Sequence, residues 1–315
     1  MSRTIPEIDF RLATSHRVED RATFVKDVGD ALKDIGFFAL KNHGIPRTLI
    51  ESAYAQCDAF FDLPTEQKLT YKQPAIGHQR GYTSFGTEHA KDQSAPDLKE
   101  FWQTGRTHQP GDAPPSYPEN CWPTHHVPGF EATIDDLYRQ LETLSQHLLN
   151  ACSTYLGMPE HWLSEMTEGG NTIMRLIHYP PIDETMPHDG VRSAAHEDIN
   201  FITLLVTATA EGLQVKDHDG TWISVTGDQD SIIVDSGDMI QNLTNGLFKS
   251  TTHRVVNPED ISQRRYSMPM FVHPRNEIDL TPHPKFISMT GGEANYPRIS
   301  AGEYLHQRLV EIGLI

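Results

Sequence analysis

Cysteine is scarce in this 315-residue chain: Cys57, Cys121 and Cys152 are odd in number, far apart and form no CxxC pair. That pattern argues against a disulfide framework and against a thiolate zinc site, so a reducing cytoplasm is the expected compartment. Long apolar runs are lacking too. The most apolar stretch, Phe201 to Val206, is far too short to span a bilayer, and the first ten residues contain no apolar segment of the signal-peptide kind, so neither membrane insertion nor secretion is expected. Positive charge is in short supply: 26 Lys and Arg stand against 43 Asp and Glu, a net charge of −17. Such a field repels a phosphate backbone, and nucleic acid is not an expected partner. No internal repeat or low-complexity tail is present. What remains, 37% hydrophobic and 22% charged residues, is the profile of a globular chain with one large core, expected as a monomer or weak homo-oligomer.

Two regimes of periodicity meet near residue 170. Before it, helical patterns cover Arg21 to Asp34, Pro46 to Asp62 with Pro46 suited to a first helical position, and about Phe130 to Leu156. In the last of these, Ile134, Leu137, Leu141, Leu144, Leu148 and Tyr155 recur at three- and four-residue steps, one apolar stripe of a scaffold helix. Lys72 to Pro128 is rich in Pro, Gly, His and Ser and reads as long loops, with the Pro110 to Pro115 run excluded from regular structure. After residue 170 the period shortens to two. Thr172–Tyr179, Ile199–Val206, Leu213–Lys216, Thr221–Val225, Ser231–Val234, His253–Asn257 and Arg265–Val272 read as strands. Many short strands without intervening helices favour an antiparallel barrel or jelly roll over a parallel α/β sheet. Ser300 to Glu303 is a capping-box pattern opening a final helix that carries Tyr304, Leu305, Leu309 and Ile312.

Of seventeen histidines, His125, His126, His188 and His218 fall in loops without a ligand partner that the sequence can place. His196-Glu197-Asp198 differs. On an extended strand, residues i and i+2 share a face, so His196 and Asp198 can present an imidazole and a carboxylate to one point while Glu197 turns away. His253, opening a later strand after the turn at Asn245-Gly246, can supply a third ligand. Two His and one carboxylate leave open positions on a six-coordinate ion and suit non-haem Fe(II). Arg265 and Ser267 share a face of the next strand, and a guanidinium beside a hydroxyl is a carboxylate site, whereas Arg264 should point the other way.

In these residues the chain resembles the isopenicillin N synthase-like branch of the Fe(II)/2-oxoglutarate-dependent dioxygenases. Ile5-Pro6-Glu7-Ile8-Asp9-Phe10, Gly36-Phe37-Phe38, Asn42-His43-Gly44-Ile45 and Phe60-Phe61-Asp62-Leu63-Pro64 are similar to the family's N-terminal region. Gly81-Tyr82 with Glu100-Phe101-Trp102 resembles its substrate-side segment, and His196-x-Asp198, Asn245-Gly246 with Lys249-Ser250, His253-Arg254-Val255 and Arg265-x-Ser267 follow in the family's order. The resemblance implies a mainly β fold with a double-stranded β-helix, or jelly-roll, core at 171–280, a helix-rich N-terminal region at 1–170 and a C-terminal helix at 281–315, all as one domain. It further implies iron held by His196, Asp198 and His253, and the distal carboxylate of 2-oxoglutarate held by Arg265 and Ser267 with Tyr179 beside them. Plant members usually carry an Asn two residues before that Tyr, where this chain has Ile177.

The implied activity is oxidation, most simply hydroxylation, of a C–H bond in a small organic substrate, with O₂ and 2-oxoglutarate as cosubstrates and succinate and CO₂ released. A substrate pocket is expected at the barrel mouth, with Phe85, Phe101, Trp102 and Phe201 as candidate apolar walls. Three rival readings stand beside this one. Isopenicillin N synthase itself has the Arg-x-Ser pair without consuming 2-oxoglutarate, so an oxidase is open. The chain ends at Ile315, directly after its last helix and without that enzyme's glutamine-bearing extension, and Gln307 is expected to face solvent, which favours 2-oxoglutarate use. A zinc hydrolase could use the same three ligands, and a cupin-like protein could bind without turnover.

Overall fold

The structure, a computed structural model, describes residues 3–87, 97–108, 117–182, 191–206, 208–225 and 230–311. The Pro110 to Pro115 run, His188 and Ile312 lie outside the described residues. Twelve strands are described: β1 (Glu7–Asp9), β2 (Phe37–Lys41), β3 (Gly81–Thr83), β4 (Glu100–Gly105), β5 (Ile173–Tyr179), β6 (Ser193–His196), β7 (Ile202–Val206), β8 (Leu213–Lys216), β9 (Trp222–Ser224), β10 (Ile232–Ser236), β11 (His253–Val255) and β12 (Arg265–Val272). They form an eight-stranded sheet in the order β1-β2-β10-β7-β12-β5-β4-β3 and a four-stranded sheet in the order β6-β11-β8-β9. Every pairing is antiparallel except β1 with β2.

The two sheets face each other across a small apolar layer in which Phe37, Ala39 and Ile233 of the large sheet meet Leu213, Val215 and Ile223 of the small one. This is the jelly-roll core. The other face of the large sheet carries helices. Among them, α1 (Val18–Asp34), α2 (Arg47–Phe61) and, beyond the short α3 (Thr65–Leu69), α4 (Phe130–Tyr155) match the expected segments, although Pro46 caps α2 from outside instead of opening it. On α4 the stripe Ile134, Leu137, Leu141, Leu144 and Leu148 is fully buried in the large core with Phe24, Phe60 and Met174. Burying an aliphatic side chain of this size contributes roughly 1.5–3 kcal/mol, so the stripe fixes α4 to the sheet. The final helix, Ala301–Glu311, has the expected capping box: Ser300 N donates to Glu303 Oε2 at 3.0 Å and Glu303 N to Ser300 Oγ at 3.3 Å. Gln307 is exposed on it.

One expectation needs correction here. The Lys72 to Pro128 segment is not loop throughout, because Gly81–Thr83 and Glu100–Gly105 pair with each other and extend the large sheet through β5. Its period-two pattern is masked because β4 is buried on both faces, so alternation of apolar and polar residues vanishes. Pro269 sits inside the central strand β12, where a missing N–H is costly. The ladder to β5 passes from Ser267 opposite Ile177 to Met270 opposite Met174 and skips the proline.

Candidate metal centre

His196 closes β6 and His253 opens β11, and the antiparallel register sets them directly opposite each other. Their ring centroids are 4.3 Å apart, tilted by 54°. Asp198 arrives differently from the expectation. The strand does not run from His196 into Ile199–Val206: β6 ends in the small sheet, Asp198 lies in a turn, and β7 starts at Ile202 in the large sheet. The turn is held by backbone. Asp238 N donates to Asp198 O at 2.7 Å and Gly237 N to Phe201 O at 3.0 Å. A Cβ on Gly237 would lie 2.5 Å from Asn200 O and 2.7 Å from Asp198 O, so this crossing between sheets requires glycine.

The result is one cluster whose three ligand atoms all lie within 4.8 Å of one another. Asp198 Oδ1 is 3.9 Å from His196 Nε2 and 3.8 Å from His253 Nε2. Each imidazole turns its Nδ1 to a main-chain carbonyl two residues back, His196 to Ala194 at 2.7 Å and His253 to Thr251 at 3.2 Å. A carbonyl only accepts, which places the ring proton on Nδ1 and leaves the Nε2 lone pair aimed at the cluster. Burial first, and then the neighbouring His196, push the His253 pKa down to about 4, so that ring is a neutral donor at pH 7. The far oxygen of Asp198, Oδ2, accepts from the Thr203 hydroxyl, which in turn accepts from Asn200 Nδ2 at 2.8 Å. Asp235, paired with Thr203 across the sheet, is fully buried, and its carboxyl is raised well above the usual range by desolvation and by the Asp198 charge. Glu197 is exposed and takes the Thr252 hydroxyl outside the cluster. Two imidazole nitrogens and one carboxylate oxygen converging from one side fit a six-coordinate Fe(II) with open positions.

A second feature lies on the large sheet. Tyr179 ends β5 and Arg265 begins β12, and the two are direct cross-strand partners, with Ser267 opposite Ile177. Tyr179, Arg265 and Ser267 are all buried, and the Arg265 guanidinium lies 5.0 Å from the Tyr179 ring centroid. Arg265 Nε donates to Ala210 O at 3.0 Å, whereas its buried NH1 nitrogen has no partner among the described residues. Arg264 points outward and pairs with Asp58 and Asp62, each at 2.9 Å.

The candidate walls divide. Phe101 is buried in a cluster with Ile177 and Tyr179, on the Arg265 face of the sheet, and Phe85 is exposed in the turn after β3. Trp102 and Phe201 do not line this region. Trp102 is one residue from Phe101 and therefore faces the helices, in edge contact with Phe60 and Phe130, and Phe201 is buried in the same helix-side core. Sequence reasoning passed over Asn200, Thr203 and Arg192. For Arg192 the sequence carried no signal, because it lies just before β6 and the pairing of that strand with β11 shifts register.

Comparison with known proteins agrees with this geometry. Residues 5–125 match the family model of the non-haem dioxygenase in morphine synthesis N-terminal region, and residues 170–274 match that of the 2OG-Fe(II) oxygenase superfamily. A proline hydroxylase, buaE, of Petromyces alliaceus is 30% identical over 91% of this chain and 93% of its own. Among solved structures, a putative 2OG-Fe(II) oxygenase family protein from Caulobacter crescentus is 34% identical with a TM-score of 0.86, over 99% of this chain and 100% of that one. A full-length Neurospora crassa protein, solved in complex with alpha-KG and thymine, is 30% identical with a TM-score of 0.85, over 97% of this chain and 96% of its own.

Proposed function

Because the chain belongs to the 2OG-Fe(II) oxygenase superfamily, we propose that His196, Asp198 and His253 hold Fe(II), and that Arg265, Ser267 and Tyr179 hold the distal carboxylate of 2-oxoglutarate. The observation that carries the reading is the convergence of three donor atoms with both Nδ1 positions turned away to carbonyls. When bound, Fe(II) with 2-oxoglutarate and O₂ supplies an oxidant for a C–H bond and releases succinate and CO₂.

The protein's own part is ligation, orientation and exclusion of water. The carbonyls of Ala194 and Thr251 fix the tautomer of each imidazole. Thr203 fixes the Asp198 carboxylate so that one oxygen faces the imidazoles. Arg265 meets a carboxylate with a forked, charge-assisted bond, and Ser267 adds a hydroxyl on the same face. The substrate is a small molecule bound on the Phe101 side of the sheet. A relative named for proline hydroxylation and a neighbour solved with thymine support a small ring compound. The test supplies Fe(II), O₂ and carbon-labelled 2-oxoglutarate across a library of small metabolites. Equimolar CO₂ and succinate, raised by one class of compound, is the expected result. Oxygen uptake without succinate would make the protein an oxidase, and product formed without O₂ on Zn(II) would make it a hydrolase.

A further inference from the structure

Arg192 is fully buried, in a protein of net charge −17, with no carboxylate paired to it among the described residues. Its NH2 nitrogen donates to Gln263 O and its main-chain N–H to Asn257 Oδ1 at 3.0 Å, but its Nε and NH1 have no partner among the described residues. A buried guanidinium with two donors unused is costly unless an anion completes it. The place in the fold says which anion. The Arg192 guanidinium lies 5.9 Å from the centroid of the same Tyr179 ring that Arg265 approaches to 5.0 Å. Arg265 also keeps one buried donor unused. Two cations therefore converge on one aromatic ring, each with unspent N–H groups, and burial together with the Arg265 charge weakens the hold of Arg192 on its proton. Along the chain, Arg192 immediately precedes β6, the strand that ends at the ligand His196. A ligand chelated at the cluster and extended toward Tyr179 runs toward both guanidiniums.

We propose that Arg192 is a second guanidinium of the distal-carboxylate site, binding the same carboxylate as Arg265. The inference rests on the 2-oxoglutarate reading above and adds a residue that sets selectivity for a 2-oxo acid with a second carboxylate. One guanidinium beside a hydroxyl anchors an anion. Two guanidiniums, whose mutual repulsion only an anion relieves, also reject neutral and monocarboxylate chelators.

The experiment is competition calorimetry on the full chain loaded with Mn(II), which avoids turnover, using 2-oxoglutarate and 2-oxopentanoate, the five-carbon 2-oxo acid without the distal carboxylate. Charge-assisted bonds of this kind predict that Arg192→Leu weakens 2-oxoglutarate about tenfold to hundredfold. The same variant should leave 2-oxopentanoate and Mn(II) affinity unchanged, while Arg192→Lys, which keeps the charge without the fork, falls between. Unchanged Mn(II) stoichiometry shows that each variant is folded. Parent-like 2-oxoglutarate affinity in Arg192→Leu, or an equal loss for both acids, overturns the role of Arg192. Failure of the Mn(II)-loaded parent to bind 2-oxoglutarate at all instead overturns the cosubstrate reading beneath it.

Discussion

Replacing Thr203 with valine keeps the branched shape of a buried β7 side chain and deletes one hydroxyl. That hydroxyl donates to Asp198 Oδ2 and accepts from Asn200 Nδ2. Without it the carboxylate is free to rotate, and Oδ1 is no longer held toward the imidazoles at 3.8 and 3.9 Å. Outer partners of this kind typically contribute tenfold to hundredfold in metal affinity, about 1.4–2.8 kcal/mol. The Asn200 amide also loses its acceptor in a buried setting, so the metal-free fold should lose about 1–3 kcal/mol. Thr252→Val is the matched control, since its hydroxyl serves Glu197, which is exposed and outside the cluster. Anaerobic titration of Fe(II) against a chromophoric chelator, with thermal melts of the metal-free proteins, measures both quantities. Parent-like affinity in Thr203→Val, or an equal loss in Thr252→Val, would refute the argument that Thr203 orients the ligand.

Asp198→Asn should abolish tight Fe(II) binding while Glu197→Gln leaves the stoichiometry intact, and the reverse in the same titration would mean that the wrong acid has been assigned. Arg265→Leu should weaken 2-oxoglutarate by about tenfold to hundredfold and Arg264→Leu should not, because Arg264 is turned outward to Asp58 and Asp62. Equal losses in calorimetry contradict the assignment. His273 is buried, with its pKa pushed down to about 4 by desolvation. The unfolded chain therefore binds a proton between about pH 6.5 and 4 that the folded chain refuses, and stability is lost as pH falls through that window, by up to about 3 kcal/mol for this group. His273→Phe should flatten the pH dependence of the unfolding free energy across pH 4–6.5, and an unchanged slope from denaturant titrations would show that the ring titrates normally.

How much of this was legible in the sequence depended on whether one residue's period or another residue's partner decided the outcome. The α4 stripe and the strand Leu213–Lys216 follow from periodicity, because each buries one face against one layer. Glu100–Gly105 was hidden, since a strand buried on both faces has no alternation to read. His196 and Asp198 were legible as a pair through the wrong geometry. One strand would present both side chains together, but a connection between two sheets brings Asp198 round, made possible by Gly237 far along the chain. The face of Arg265 followed from its spacing to Ser267. Arg192 was not legible, because an arginine reads as surface until its burial is known. Trp102 failed as a pocket wall because an aromatic residue on a doubly covered strand fits either layer and only the pleat decides, whereas Phe201 precedes β7 and is buried in the helix-side core.

The central claim is that two imidazoles and one carboxylate hold the metal, with the cosubstrate extended from it to Arg265. A crystal structure of the protein with Mn(II) and 2-oxoglutarate tests this most directly. The account predicts metal bonds to His196 Nε2, His253 Nε2 and Asp198, with the distal carboxylate on Arg265 and Ser267. Metal bound through Glu197 or another residue set, or a carboxylate that leaves Arg265 unpaired, would contradict it.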